Sequence, residues 1–317
     1  MNIITHQDII SLNISPLDCY KWVEQMIARK ADSILPPKIS MKPLDGAFCN
    51  VMPSIVVSDD GSKVGGVKLV TRYPNRIPSL DSKLFLFNAD NGKFKALMDA
   101  NWITAMRTGA VAVHSIDLLA KKDFKTIAII GLGNTARATI SVLAEKFRNR
   151  RFTLRLLKYK GQEQLFAERF KQFDCFNIEY YENIDNMFRG SDVIISAATY
   201  LPNDICSDDA FDEGVLLVPI HTLGYTNCDL FFDKVFADDT DHVKHFKNFA
   251  KFKRFAEVHN VVAGKAQGRE NDRERILVYN IGIAMHDIFF ADKIYNLFDE
   301  SKLKKIDFAE PCDKFWI

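Results

Sequence analysis

The stretch that decides the fold reads Thr126-Ile-Ala-Ile-Ile-Gly131-Leu-Gly133-Asn-Thr-Ala136. A continuously apolar segment, typical of a buried strand, is followed by two glycines and then by apolar residues at helical spacing. In this setting G-x-G-x-x-A is typical of a dinucleotide-binding turn: the first glycine permits the tight turn, the second admits the pyrophosphate, and the alanine lets the helix pack closely on the strand. The alternative is an ordinary strand–helix turn. The predicted cofactor contacts in this turn are Gly131, Gly133, Asn134, Thr135 and Ala136.

Short apolar segments alternate with helical patterns on both sides of this turn, which predicts a parallel sheet covered on both faces. The predicted strands are Thr126–Ile130, Thr153–Leu157, Val193–Ala197, Val215–Ile220 and Lys234–Ala237. The chain before residue 100 is instead rich in short strands and turn signals. We expect an α/β protein in which a Rossmann-type doubly wound parallel sheet, residues 119–282, is inserted in a second α+β domain. That second domain comprises residues 1–118 and about 283–317, and we expect it to bind the substrate.

Composition excludes several classes of partner. The 317 residues carry 42 Lys+Arg and 41 Asp+Glu, a formal net charge of +1, so no global field favours nucleic acid or an anionic membrane. The basic and aromatic run Phe246–Phe255 predicts an amphipathic helix rather than a nucleic-acid surface. With neither a long apolar run nor a secretory signal pattern we expect a cytoplasmic protein, and its six scattered cysteines favour reduced thiols.

The end of the second Rossmann strand bears on the choice of cofactor. An acidic residue there accepts the ribose 2′-OH of NAD, whereas a cation accommodates the 2′-phosphate of NADP. The strand ends Leu157-Lys158-Tyr159-Lys160, which contains no acid, so Lys158 favours NADP(H) over NAD(H). The alternative is that Lys158 belongs to a solvated basic face.

Motifs along the whole chain resemble the ornithine cyclodeaminase/mu-crystallin family. They are Met52-Pro53, Gly66-Val-Lys68, Arg107-Thr-Gly-Ala110, Gly268-Arg-Glu-Asn-Asp272 and Asn280-Ile-Gly282-Ile-Ala284 with Asp287 beyond it. The resemblance implies a homodimer formed through the substrate domain, a nicotinamide cofactor in the Rossmann domain, and an amino or imino acid as substrate. Thr199 and Gly282 are assigned as further cofactor contacts.

The resemblance also assigns roles to two cations. Lys68 corresponds to a lysine that contacts the substrate and could polarise or protonate a C=N nitrogen, although a surface lysine is the ordinary expectation for a strand. Arg107 could grip a carboxylate with two parallel hydrogen bonds, or serve only in a structural salt bridge. Lys38, with Lys42 as an alternative, stands where members often carry a second carboxylate-binding arginine, and Met52 would line the pocket or lie in the core.

Two departures bear on the reaction. Ornithine-cyclising members use an acid two positions before Met-Pro, where this chain has Asn50, and a loop aspartate, where it has Leu223. Without these carboxylates the distal ammonium of ornithine lacks its partners, so cyclisation is disfavoured. His221 is the nearest titratable group in that loop and could transfer a proton.

We therefore expect an NAD(P)-dependent oxidoreductase acting on a C–N bond of an amino or imino acid, of the ketimine reductase or secondary-amine or amino-acid dehydrogenase type. The alternatives are a cyclodeaminase-like ammonia lyase and a non-catalytic NADP(H)-binding protein. His242 and His245 are spaced to face one metal, but an acid-rich loop after a strand explains them more simply, so we predict no metal.

Overall fold

The computed structural model describes residues 1–198, 201, 204–220, 228–307 and 313–315. Within these residues the strands are β1 (Asn2–Ile4), β2 (Ile39–Met41), β3 (Phe48–Val57), β4 (Lys63–Arg72), β5 (Leu80–Asn88), β6 (Phe94–Asp99), β7 (Thr126–Ile130), β8 (Phe152–Leu157), β9 (Phe176–Tyr181), β10 (Val193–Ser196), β11 (Leu216–Pro219), β12 (Lys234–Ala237), β13 (Ala256–Glu257), β14 (Ile276–Tyr279) and β15 (Lys304–Lys305). The helices are α1 (His6–Ser11), α2 (Pro16–Ala28), α3 (Asn101–Leu119), α4 (Asn134–Lys146), α5 (Gln162–Phe170), α6 (Ile184–Phe188), α7 (Thr240–Val243), α8 (Val258–Val262) and α9 (Ala284–Asn296). Short 3-10 turns occupy Lys30–Asp32, Asp208–Ala210, Phe249–Lys251 and Glu300–Lys302.

The chain divides into two compact units, and both are discontinuous in sequence. The first comprises Met1–Ile14, Asp32–Thr104 and Ala284–Ile317, and the second comprises Ser15–Ala31 and Ala105–Ile283. Residues 15–31 and 105–118 therefore lie in the second unit, whereas the ranges expected from the sequence put them in the first. The physical reason is that α2 packs on α4 and α8, while the Tyr20 hydroxyl donates to Asp117 of α3 at 2.6 Å.

The first unit is built on a seven-stranded mixed sheet in the order β15-β1-β6-β5-β4-β3-β2. The β1–β6 pair is parallel and the other pairs are antiparallel. One face of the sheet packs against α9. The approach is close: a Cβ on Gly66 of β4 would stand 2.6 Å from Ile288 Cδ1 of α9. Glycine at this position thus lets the helix lie directly on the sheet.

The second unit is built on an eight-stranded parallel sheet in the order β13-β12-β14-β11-β10-β7-β8-β9. Its five central strands are buried along nearly their whole length, as a sheet covered on both faces requires; they are β7, β10, β11, β12 and β14. The order reverses between β7 and β10, the crevice at which Rossmann folds bind their ligands. The predicted fold class, a Rossmann-type parallel sheet with a second α+β domain, is confirmed. The sequence does not predict the strands β9, β13 and β14.

The aromatic run Phe246–Phe255 is not the helix that its spacing predicts. It contains only the 3-10 turn Phe249–Lys251, and its phenylalanines pack against the buried core of the second unit. The rings of Phe249 and Phe255 lie 4.9 Å apart. Burial of these rings outweighs the helical periodicity, because aromatic side chains gain more from apolar contact than a short helix gains from its hydrogen bonds.

None of the helices described here has the length and apolar character needed to cross a membrane.

Candidate active site

The glycine turn follows β7 at the reversal of strand order, where its first glycine meets the chain after β10. Gly131 has φ +78°, a conformation that favours glycine, and a Cβ there would stand 2.7 Å from the carbonyl oxygen of Ala197. The backbone N–H of Ala197 donates to Ile130 O at 2.8 Å, so the two segments are held together. Any side chain at Gly131 would force them apart.

The second glycine lies beside open space. Gly133 is the N-cap of α4, no side chain caps this helix, and a Cβ on Gly133 would meet no atom within 4 Å. Asn134, Thr135 and Ala136 form the first turn, and Ala136 is buried. The N-terminus of this 13-residue helix thus offers N–H groups and a positive dipole end to an anion. This arrangement fits the pyrophosphate of a dinucleotide.

Lys158 follows β8 at the same edge of the sheet. Its Nζ donates to Glu182 Oε1 at 2.9 Å, and the half-exposed lysine thereby has an acidic neighbour just beyond β9. This carboxylate raises the pKa of Lys158, and in turn the lysine holds the pKa of Glu182 below its ordinary value. The local sequence does not predict a role for Glu182, because only the pairing of β8 with β9 brings it beside Lys158.

Lys68 and Met52 are directly paired across β4 and β3, and they lie on the face of the sheet that packs against α9. Lys68 Nζ lies 2.6 Å from Asp287 Oδ1 of α9, and both side chains are fully buried. A buried ion pair of this kind requires tight geometry to offset the loss of hydration. The sequence motif contains Asp287, but nothing in the local sequence predicts its contact with Lys68.

The predicted substrate-binding residues of the first unit lie in or beside the two strands at one edge of this sheet, β3 and β2. Asn50 shares the Met52 face of β3, and its Oδ1 is buried without a hydrogen-bond partner in the described part of the chain. Met52 packs with Val70 and Ala284 in a small apolar cluster. Lys38 immediately precedes β2, the edge strand that pairs with β3.

In the second unit, Arg107 of α3 lies against the loop that follows β14. It is 5% exposed, and a Cβ built on Gly282 would stand 2.7 Å from Arg107 Nη1. The Gly282 N–H donates to Asp238 Oδ2 at 2.8 Å. Asp238 directly follows β12, and its place at the carboxyl end of a parallel strand is the sequence signal that identifies it as a candidate site residue.

Three of the predicted site residues, Thr199, His221 and Leu223, lie outside the described residues. His242 is buried and its Nδ1 lies 2.8 Å from Asp239 Oδ1, so this histidine is engaged within its own loop. Among the residues that the structure describes, no group of three metal-ligating side chains converges.

Known proteins with related sequences and structures support the assignment of the fold. The nodulation efficiency protein NfeD of Rhizobium meliloti is 25% identical over 282 residues, which is 86% of either chain. The Delta(1)-pyrroline-2-carboxylate reductase of Bacillus cereus is 25% identical over 266 residues, covering 77% of this chain and 80% of its own.

A solved structure extends the comparison to nearly the full length. The Thermococcus litoralis Delta(1)-pyrroline-2-carboxylate reductase, in complex with NADH and L-proline, superposes with a TM-score of 0.82 at 25% identity and covers 93% of this chain and 97% of its own. The model of the ornithine cyclodeaminase/mu-crystallin family matches residues 2–302. This chain therefore belongs to the ornithine cyclodeaminase/mu-crystallin family.

Proposed function

We propose that this protein reduces the C=N bond of an imino acid, or oxidises the corresponding amine, with a nicotinamide cofactor held at the glycine turn. The chain is an NAD(P)-dependent oxidoreductase of its family and acts on a C–N bond of an amino or imino acid. The observation that carries the proposal is the turn itself. Gly131 packs closely against Ala197, and the N-terminus of α4 that follows has no side-chain cap. Both are what a dinucleotide pyrophosphate requires.

The bound nicotinamide supplies or accepts a hydride, and the protein contributes binding, orientation and charge. Gly131, Gly133, Asn134, Thr135 and Ala136 hold the pyrophosphate, and Thr199 is a further proposed contact. We propose NADP(H) as the preferred form, because Lys158 offers a cation where NAD-specific proteins carry an acid. Glu182 opposes this preference, because its carboxylate forms an ion pair with Lys158 and would repel a 2′-phosphate.

The substrate would be held by its carboxylate and activated at its nitrogen. Arg107 presents a planar fork to the carboxylate, and Lys38 adds a second positive charge. Lys68 would polarise the imine nitrogen, with Asp287 fixing the position of its ammonium group. His221 is the proposed proton carrier in the loop after β11, because an imidazole titrates near physiological pH.

We further propose that the protein is a homodimer joined through the first unit. The sheet face opposite α9 exposes a set of large apolar side chains: Ile39 at 60%, Leu69 at 42%, Phe85 at 44% and Phe94 at 59%. The rings of Phe85 and Phe94 lie 6.4 Å apart, edge to face, so these two side chains are direct neighbours on this face. A surface of this kind on a chain of mixed charge is typical of a protein interface, and self-association would cover it.

The deciding experiment follows the absorbance of reduced nicotinamide in the presence of purified protein, with NADPH and NADH in separate reactions. The substrates are Δ1-pyrroline-2-carboxylate, other cyclic imines that carry a carboxylate, and pairs of a 2-oxo acid with an amine. We expect imine-dependent oxidation of the cofactor, faster with NADPH. An Arg107→Ala variant serves as the control, since it keeps the cofactor turn intact and should lose most of the activity at low substrate concentration.

Two outcomes would contradict the proposal. Release of ammonia and formation of proline from L-ornithine, without net change in the cofactor, would show a cyclodeaminase that works with Asn50 in place of an acid. Tight binding of NADP(H) without turnover of any substrate would instead favour a cofactor-binding protein without catalytic activity.

A further inference from the structure

We infer that Gly282 and Asp238 together position the guanidinium of Arg107, and that Gly282 acts through this arginine rather than by touching the cofactor. The inference rests on the proposed function, which assigns Arg107 to the substrate carboxylate. It concerns only residues of the second unit, in which α3 carries Arg107 and the loop after β14 carries Gly282.

The contact between Arg107 and Gly282 leaves no room for a side chain. A Cβ on Gly282 would stand 2.7 Å from Arg107 Nη1, 3.0 Å from Nη2 and 3.3 Å from Cζ. These three distances show that the guanidinium group lies against the position that a Gly282 side chain would occupy. Gly282 also has φ +83°, which favours glycine independently of the contact. The backbone of Gly282 thus forms one wall of the space in which the arginine head lies.

Asp238 fixes this backbone. Its Oδ2 accepts the Gly282 N–H at 2.8 Å in a buried hydrogen bond, and its own N–H donates to Tyr279 O at 3.1 Å. Through its carboxylate and its backbone N–H, Asp238 therefore ties the loop after β12 to the chain on both sides of Asn280. A charge-assisted hydrogen bond in a dry site is among the stronger ones a protein makes.

The loop that carries Asp238 is anchored in turn by Lys30. The Lys30 Nζ donates to Asp238 O at 2.7 Å and forms ion pairs with Asp239 at 2.8 Å and Glu257 at 2.7 Å. Lys30 is 9% exposed, so this network is largely removed from solvent. Lys30 thus holds the loop of Asp238, Asp238 holds the backbone of Gly282, and this backbone supports the guanidinium of Arg107.

A rigid support matters because bidentate binding of a carboxylate depends on the direction of the guanidinium fork. A displacement of about 1 Å in a substrate-positioning group can lower the rate about a hundredfold. The arginine head is the mobile partner in this contact, since the far end of a long side chain moves more easily than a hydrogen-bonded backbone. A methyl group on Gly282 should therefore shift Arg107 and leave the fold in place.

The test compares Gly282→Ala with Gly264→Ala. Gly264 also has a positive φ, +68°, but a Cβ there would meet no atom within 4 Å. Both variants therefore carry a similar backbone strain, and only Gly282→Ala introduces a collision with Arg107. For each protein one measures the Kd for NADPH and for NADH by fluorescence, kcat and KM with Δ1-pyrroline-2-carboxylate, and the rate at which phenylglyoxal modifies Arg107, mapped by peptide mass.

We expect Gly282→Ala to lower kcat/KM for the imine by about tenfold or more, chiefly through a higher KM, with cofactor Kd within about twofold of wild type. Phenylglyoxal should modify Arg107 faster in this variant, because the displaced head is less buried. Gly264→Ala should match wild type in all three measurements. A weaker cofactor Kd in Gly282→Ala, with unchanged labelling of Arg107, would overturn the inference and return Gly282 to the cofactor site.

A second pair of variants tests Asp238. Asparagine retains an oxygen that can accept the Gly282 N–H, whereas alanine does not. We expect Asp238→Ala to raise KM and to speed the labelling of Arg107, and Asp238→Asn to restore most of both. Equal loss in the two variants would overturn the role given to this hydrogen bond. If wild type reduces no imine, the proposed function fails, yet the labelling of Arg107 still decides whether Gly282 and Asp238 position it.

Discussion

Lys68 Nζ and Asp287 Oδ1 lie 2.6 Å apart in the first unit, with neither side chain exposed to solvent. Removal of one partner leaves an uncompensated buried charge, so Lys68→Met should lower the free energy of unfolding by about 3–5 kcal/mol. Turnover should fall as well, if Lys68 polarises the imine. Urea unfolding and imine-dependent oxidation of NADPH measure the two effects.

The double variant Lys68→Met/Asp287→Asn separates the two effects of Lys68. It contains no unpaired charge, so most of the lost stability should return while turnover stays low. Wild-type turnover in the double variant would show that the ion pair is purely structural and would remove Lys68 from the reaction.

The two glycines of the cofactor turn should respond differently to alanine. Gly133→Ala introduces a methyl group into open space, so the protein should fold normally but bind NADPH about tenfold or more weakly, because the methyl group would lie where the pyrophosphate approaches. Gly131→Ala combines a positive φ with a collision against the Ala197 carbonyl, and it should lower stability as well. Thermal unfolding and a fluorescence titration distinguish the two. Unchanged cofactor affinity in Gly133→Ala would contradict the placement of the pyrophosphate.

The pair formed by Lys158 and Glu182 predicts an asymmetric effect on cofactor choice. Glu182→Gln frees Lys158 and removes a negative charge, so it should increase the affinity for NADPH and leave that for NADH nearly unchanged. Lys158→Ala should weaken NADPH selectively, and Lys160→Ala serves as a nearby control. The measurement is the ratio of the two Kd values in each variant. Equal losses for both cofactors in Lys158→Ala would exclude a contact with the 2′-phosphate.

The exposed apolar face of the first unit predicts a change in oligomeric state. Leu69→Lys combined with Phe85→Lys should convert a dimer to a monomer, because charges placed in the centre of an apolar interface lose their hydration. Leu165→Lys is a matched control, since Leu165 is 65% exposed on α5 of the other unit. Light scattering after size-exclusion chromatography gives the mass of each species. A wild-type protein of monomer mass would contradict the proposed dimer.

His114 predicts a dependence of stability on pH. Burial lowers its pKa to about 4, Asp117 acts in the opposite direction, and Lys146 adds to the lowering. Between about pH 6.5, the ordinary histidine value, and about pH 4, the unfolded chain binds a proton that the folded chain does not. The free energy of unfolding should therefore fall as pH falls through this window, by about 3 kcal/mol in all.

Urea denaturation at a series of pH values measures this slope. His114→Phe should flatten the dependence of the free energy of unfolding on pH, because phenylalanine keeps an aromatic ring at this position but does not titrate. His245→Gln, at an exposed histidine, should not change it. An unchanged slope in His114→Phe would assign the effect to other groups.

The elements that the sequence predicted well are those that local rules specify. The bounds of β7 and β12 agree with the predicted strands, because apolar segments between turn signals mark buried strands. The strand β14 was missed although its sequence is equally apolar. It joins the sheet between β11 and β12, and chain order does not reveal that place. For the run Phe246–Phe255 the error is the opposite one: its spacing predicts a helix that the structure does not contain. Its phenylalanines pack against the core instead.

The sequence by itself determined the fold class, the glycine turn and the family, because these depend on residue types at fixed short spacings. Only the tertiary structure decided that Lys68 is buried against Asp287, which lies 219 positions away, and that Arg107 lies over Gly282. A lysine in a strand is normally exposed, and a glycine in a motif normally suggests a turn or a ligand contact. Such contacts depend on how distant segments pack, and packing is a property of the whole folded chain rather than of any local pattern.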